Sequence, residues 1–265
     1  MKNSILPLAL FASSVPLVHA ATLIDFQSPY TLGALSPTPA NVATLRPFDG
    51  QQGWSRSTST STGNIFTNSA SGLYAGNSQA LTGSVTTTSE TYIGAKAVGG
   101  LDSFSFEFLY NAVELGIGGW NDDNADSLFD QTETEFMAGV VSSSGYKFGV
   151  RGANFGTRFS TGTVGTPGSW YRMTVTPNSV AKTVTLGVFN LTTNTAVALG
   201  TSVFNLTTEF GVATTAYEGI AARVTSSTAA SGTGAIDNIQ IIPEPNAAAL
   251  LGGLGMLSLL RRRRN

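Results

Sequence analysis

The side chains best suited to chemistry crowd into one stretch of this 265-residue chain, Trp120-Asn121-Asp122-Asp123-Asn124-Ala125-Asp126-Ser127-Leu128-Phe129-Asp130, entered through the glycine-rich run Gly116 to Gly119. Asp122, Asp123, Asp126 and Asp130, with the asparagines between them, offer oxygens in the number that Ca²⁺ takes, about six to eight. The spacing is not that of an EF-hand, because no Gly or terminal Glu falls where that loop needs one. The other reading of the same residues is a solvated loop held by Asx turns. Calcium is thus the one cofactor the sequence offers. Trp120, beside this loop, is the indole best placed to stack on the apolar face of a sugar ring, whereas Trp170 at a strand start reads as core.

Glycoside hydrolysis needs two carboxyl groups facing one another. Glu107 lies on the polar face of an expected strand, and Glu114 follows at an odd separation that would put it on the opposite face if the strand ran on. Glu133 and Glu135 would share a face, but at a loop-to-strand edge. No pair is convincing, so the sequence supplies no catalytic set and favours a non-catalytic surface protein. A secreted glycoside hydrolase or polysaccharide lyase is the alternative.

Other chemistries are excluded by composition. Cysteine is absent and the single histidine is His19, so thiolate catalysis, His-based triads and ordinary transition-metal sites have no ligands. A net charge of -2 with only 11% charged residues gives no electrostatic footprint for nucleic acid. Hydroxyls of Ser and Thr supply the surface polarity instead.

The elements that must position these groups read as strands. Phe104, Phe106, Phe108 and Tyr110 alternate with Ser103, Ser105 and Glu107; Tyr171, Met173 and Val175 alternate with Arg172, Thr174 and Thr176; and Val184, Leu186 and Val188 alternate with Thr183, Thr185 and Gly187. Further short β-branched and aromatic runs cover 23–26, 136–142, 146–151, 196–204, 217–225 and 235–242. No sustained apolar period of 3.6 residues appears, which disfavours parallel β-α-β architecture. An all-β, antiparallel β-sandwich of jelly-roll size over residues 21–242 is expected, with Ser55 to Gly63 as a long surface loop. Val188-Phe189-Asn190-Leu191-Thr192-Thr193 recurs as Val203-Phe204-Asn205-Leu206-Thr207-Thr208, which reads as two strands with similar exits rather than a repeat architecture.

Both ends carry addresses. Lys2, an apolar stretch from Ile5 to Val18 and small residues at the -3 and -1 positions of Val18-His19-Ala20-Ala21 make a signal peptide over 1–20, cleaved after Ala20 or Ala21, which predicts export through the Sec translocon. At the other end stand Pro243-Glu244-Pro245, an apolar run from Ala247 to Leu260, and Arg261-Arg262-Arg263-Arg264. The run covers about 21 Å as a helix against a hydrocarbon core of roughly 30 Å, so it is a marginal membrane helix, which the four arginines should stop on the cytoplasmic side.

This tail, residues 243–265, resembles the carboxy-terminal sorting signal of PEP-CTERM proteins from Gram-negative bacteria that make exopolysaccharide. The resemblance implies recognition of the Pro243, Glu244, Pro245 motif by a membrane enzyme, the exosortase. Arg261, Arg262, Arg263 and Arg264 then serve as the stop of a transient inner-membrane anchor. The destination implied is the cell surface or the extracellular matrix, with exopolysaccharide as a partner. The body carries a second resemblance. Gly168-Ser169-Trp170-Tyr171-Arg172-Met173-Thr174-Val175, the strand Thr183 to Phe189, the turn Asn190 to Thr195 and Ala235-Ile236-Asp237-Asn238-Ile239 resemble strands of concanavalin A-like, laminin-G-like sandwiches. This implies that fold and transfers no catalytic residue.

Overall fold

β-branched and aromatic residues at every second position leave the backbone few alternatives to extended structure. The computed structural model describes residues 22–25, 33–34, 54–56, 67–69, 80–85, 90–96, 103–111, 113–121, 133–152, 157–178, 181, 183–205, 219–225 and 232–242. Within them run β1 (Thr22–Ile24), β2 (Gly33–Ala34), β3 (Trp54–Arg56), β4 (Thr67–Ser69), β5 (Ala80–Val85) and β6 (Glu90–Lys96). There follow β7 (Ser103–Leu109), β8 (Glu114–Trp120), β9 (Thr134–Ser142), β10 (Tyr146–Arg151), β11 (Arg158–Ser160) and β12 (Trp170–Asn178). The last are β13 (Thr183–Asn190), β14 (Thr195–Ala196), β15 (Val203–Asn205), β16 (Gly219–Thr225) and β17 (Gly232–Ile242).

The strands form two antiparallel sheets. One orders as β14-β13-β12-β7-β17-β5-β4-β2, with β1 on β17 and β15 on β13; the other orders as β11-β10-β9-β8-β16-β6-β3. Inward side chains of the two sheets make one core. Phe104 and Phe108 of β7 meet Phe136 of β9 and Phe148 of β10 with ring centroids 6.3 and 6.2 Å apart. Met173, Val175 and Leu186 face the same interior as Leu115, Ile117 and Ile220. The expected all-β antiparallel sandwich is therefore the fold.

One end of the core is aromatic and strapped. Tyr110 donates its hydroxyl to the Tyr146 carbonyl at 2.5 Å, and its ring packs edge-on to Phe148 and Tyr171. The segment after β11 crosses over it, with Gly168 N–H donating to the Tyr110 carbonyl at 2.9 Å and Thr166 N–H to the Tyr171 hydroxyl at 2.8 Å. A Cβ on Gly165 would lie 2.6 Å from the Tyr110 ring, so only glycine lets the strap come this close.

Several boundaries differ from the sequence reading. The run 196–204 is mostly irregular, with strand only at its ends, because β14 and β15 share the edge of β13 in turn. Ser55 and Arg56, expected in a loop, belong to β3, paired with β6. The largest difference is β8, which the sequence reading left as the glycine-rich approach to the Asp-rich loop. The chain turns between Tyr110 and Val113, so Glu107 and Glu114 stand in different sheets. Among the described residues, no helix is long and apolar enough to cross a membrane; the run 247–260 lies outside them.

Candidate functional site

Of the buried carboxylates, Glu107 and Glu114 stand on the outer sides of different sheets. Glu107 of β7 sits in register between Arg172 of β12 and Asp237 of β17. Arg172 donates from Nη2 to Glu107 Oε1 at 2.5 Å, and Asn238 Nδ2 donates to Oε2 at 2.8 Å. Asn238 reaches this position through a bulge. Between Asp237 and Gln240, β17 carries one residue more than β7, and Asn238 adopts φ +47. Asn tolerates that conformation better than most residues, and the extra residue turns both Ile236 and Ile239 into the core. Arg172 is half exposed, so this ion pair stands at the surface.

Glu114 of β8 is more enclosed. Its Oε1 accepts from Arg158 Nε at 2.7 Å and from the Ser142 backbone N–H at 2.5 Å, and its Oε2 accepts from Arg223 Nη1 at 2.9 Å and Arg151 Nη1 at 3.1 Å. The side chains of Arg223 and Arg151 are 1% and 7% exposed, while Arg158 opens to solvent at 35%. Four donors occupy the roughly four lone-pair sites of one carboxylate. Three guanidinium groups thus donate to one carboxylate in a place where charge is costly to bury.

Glycine makes room for this cluster. In register across the sheet, Arg223 lies opposite Gly116, Gly116 opposite Gly139 and Gly139 opposite Gly149. A Cβ on Gly118 would stand 1.8 Å from the Phe136 carbonyl oxygen, and one on Gly116 2.5 Å from that of Ala138. Strand β8 is therefore side-chain-free on that side between Glu114 and Trp120, and long guanidinium arms can lie over it.

The residues singled out in the sequence fare differently. Trp120, expected as an exposed stacking platform, is fully buried with 0% exposure, so its ring presents no face to a sugar. Its position at the end of β8, a strand buried on both faces, explains why proximity to a polar loop misled. Trp170 is buried, as its strand-start position implied. Asp122, Asp123, Asp126 and Asp130 lie outside the described residues, as do Pro243, Glu244, Pro245 and Arg261 to Arg264. The ends of the Asp-rich loop are close together, since Asn121 N–H donates to the Glu133 carbonyl at 3.2 Å. Asn121 Nδ2 also reaches Glu135 Oε1 at 3.4 Å, and Glu133 and Glu135 are both buried. Among the described residues, no three His, Cys, Asp or Glu side chains gather as metal ligands.

The sequence reading missed the arginines altogether. Arg151, Arg158 and Arg223 stand 37, 44 and 109 positions from Glu114. The one available signal was Arg223 itself, a cation inside the apolar run Gly219-Ile220-Ala221-Ala222-Arg223-Val224.

No family model and no curated protein matches this chain. Among solved structures it is similar to lectin II from Ulex europaeus, at 11% identity over 72% of this chain and 92% of that one, with a TM-score of 0.42. It is also similar to lectin I from Ulex europaeus, at 13% identity over 73% and 92% with a TM-score of 0.39. A third is a cellulose-induced protein, at 12% identity over 73% and 94% with a TM-score of 0.38.

Proposed function

We propose that this is an exported surface or matrix protein whose β-sandwich binds extracellular polysaccharide without cleaving it, sorted through its C-terminal tail by an exosortase. The observation that carries the sorting half is the ordered tail: Pro243-Glu244-Pro245, a short apolar run, then Arg261 to Arg264, at the opposite end from a signal peptide. That the polymer is left uncleaved is supported by where the carboxylates stand. Glu107 and Glu114 are in separate sheets and each is tied into arginines, an arrangement unlike the facing acid pair of a glycosidase.

Two measurements test this reading. Intact mass of the secreted or surface-bound protein should show loss of roughly 20 residues from each end; retention of Arg261 to Arg264 there would refute tail processing. The processed protein should be retained on the producing cell's own exopolysaccharide, leaving the polymer's length unchanged. Shortened polymer would favour the hydrolase or lyase alternative, and absence of retention would remove the binding role.

A further inference from the structure

We infer that the site read by the sorting enzyme extends into the folded body: the enzyme takes the backbone edge of β17 over Gln240–Ile242 together with Pro243-Glu244-Pro245, and β1 is a removable cover on that edge. This rests on the sorting reading above and names the second half of its recognition site.

The argument starts from the tripeptide. A protein that grips an extended peptide as an added strand does so through main-chain hydrogen bonds. Pro243 and Pro245 have no N–H, so Glu244 is the one backbone donor of the three. Downstream, only Asn246 precedes the apolar run that begins at Ala247. The remaining main-chain groups within reach lie upstream, and there the chain has no spacer: Ile242 is the last residue of β17 and is joined directly to Pro243.

The second step is what covers β17. On one side it pairs with β7 from Ala235 to Ile242, and Ile239 and Ile241 are sunk in the core, so release from β7 would empty part of the interior. Its other side is shared. β5 pairs with it only as far as Ile236, and over Ile239 to Ile241 the neighbour is β1, in register Thr22 to Ile241, Leu23 to Gln240 and Ile24 to Ile239. β1 has three residues and is pinned to the core by Ile24, which is only partly buried. It starts at Thr22, so cleavage of the signal peptide leaves it at the free N-terminus. A terminal strand this short opens far more readily than the fold as a whole. Displacing β1 gives the enzyme an edge that runs straight into the tripeptide, with Ile239 and Ile241 left in place.

The test follows removal of the tail from the full-length chain by inner membranes of the producing cell, read by mass spectrometry. The chain has no cysteine, so Leu23→Cys with Gln240→Cys gives a single disulfide that locks β1 on β17. Antiparallel register pairs have a Cα spacing of about 4.5–5.5 Å, which suits such a bridge. The oxidised form should lose its tail roughly tenfold more slowly than the same variant after reduction. Ile24→Ser, which loosens β1, should lose it roughly threefold faster than wild type, while Val188→Ala, a buried change on β13, should leave the rate unchanged. Equal rates in the oxidised and reduced forms overturn the inference and leave sorting in place. Acceleration by Val188→Ala equal to that by Ile24→Ser overturns it too, because general loosening would then explain both. A wild-type chain that keeps its tail overturns the sorting reading itself, and the inference with it. If the double-cysteine variant does not fold, Ile24→Ser decides the matter: an unchanged rate overturns the inference.

Discussion

The hairpin β12–β13 and the pair β8–β9 are both antiparallel, both central to the fold, and built on different rules. In β12, Tyr171, Met173 and Val175 are buried while Arg172, Thr174 and Thr176 are exposed, and β13 continues the pattern through Val184, Leu186 and Val188. One face packs and the other meets water, as an antiparallel sheet with a solvated side should. Every residue of β8 and nearly every residue of β9 is buried. Both faces of the second pair are covered, and its outer side holds glycines, a tryptophan and a cluster of ionised groups in place of threonines. The difference teaches that the β12–β13 hairpin displays an ordinary surface, whereas the β8–β9 pair shelters the unusual chemistry of the molecule.

Substituting glycine in each region should give the largest contrast. Gly118→Ala forces a Cβ into the Phe136 carbonyl, a backbone atom that cannot swing aside. Its cost should reach about 4 kcal/mol or more, with little soluble protein recovered. Gly187→Ala on β13 meets nothing nearer than the Thr174 Cβ at 3.8 Å and should change stability by no more than about 0.5 kcal/mol. Denaturant melts of the two variants that coincide would erase the distinction between open and covered sheets.

The next contrast is between the carboxylates. Glu114→Gln leaves three arginines around a neutral group and should cost about 3–5 kcal/mol, the penalty for breaking a buried ion pair. Glu107→Gln, whose arginine is half in water, should cost about 1 kcal/mol. Urea melts read both values, and a Glu114→Gln as mild as Glu107→Gln would mean that the cluster is hydrated.

A smaller effect concerns the loop that joins β8 to β9. If Asp122, Asp123, Asp126 and Asp130 bind calcium with a dissociation constant near 10⁻⁴ M, millimolar calcium stabilises the fold by about 1.4 kcal/mol. That is a melting rise of about 3 °C for a domain of about 220 residues, given by calcium and not by magnesium. Melting curves with calcium, magnesium and chelator that superimpose leave a solvated loop.

The smallest effect is alkaline. Burial pushes the Tyr110 hydroxyl above its ordinary value of 10, against a weaker lowering by its backbone contact with Gly165. Folding therefore favours the protonated phenol. Its contribution is complete below about pH 10 and is lost as pH rises through the folded value. Tyr110→Phe should flatten the fall of melting temperature above pH 10; an unchanged slope would assign the loss to other groups.

The same comparison sets what the sequence made legible. Strands with one wet face announce themselves, so β12 and β13 could be placed from alternation alone, and β7, though buried on both faces, alternates aromatic with polar residues in the same way. Strand β8 could not, because Gly116 and Gly118 are small for steric reasons and resemble loop residues in a one-dimensional reading. Trp120 was misjudged for a related reason: polar neighbours in sequence say little about a residue whose environment comes from other strands. The Asp237-Asn238 pair was noticed as a motif, but its work as a bulge that lets β17 turn both Ile236 and Ile239 into the core appears only in the register with β7. The arginine cluster is wholly a product of long-range pairing, since β8, β10, β11 and β16 must assemble before its members meet.

The most direct measurement is the rate at which phenylglyoxal modifies each arginine of the folded, ligand-free protein, read by peptide mass spectrometry. The exposures of 50% for Arg172, 35% for Arg158 and 1% for Arg223 predict rapid modification of the first, slower modification of the second, and protection of Arg223 and Arg151 until the protein unfolds. Modification of Arg223 at the rate of Arg172 under native conditions would contradict the account, because the outer side of the seven-stranded sheet would then be open to water and its arginines held by nothing special.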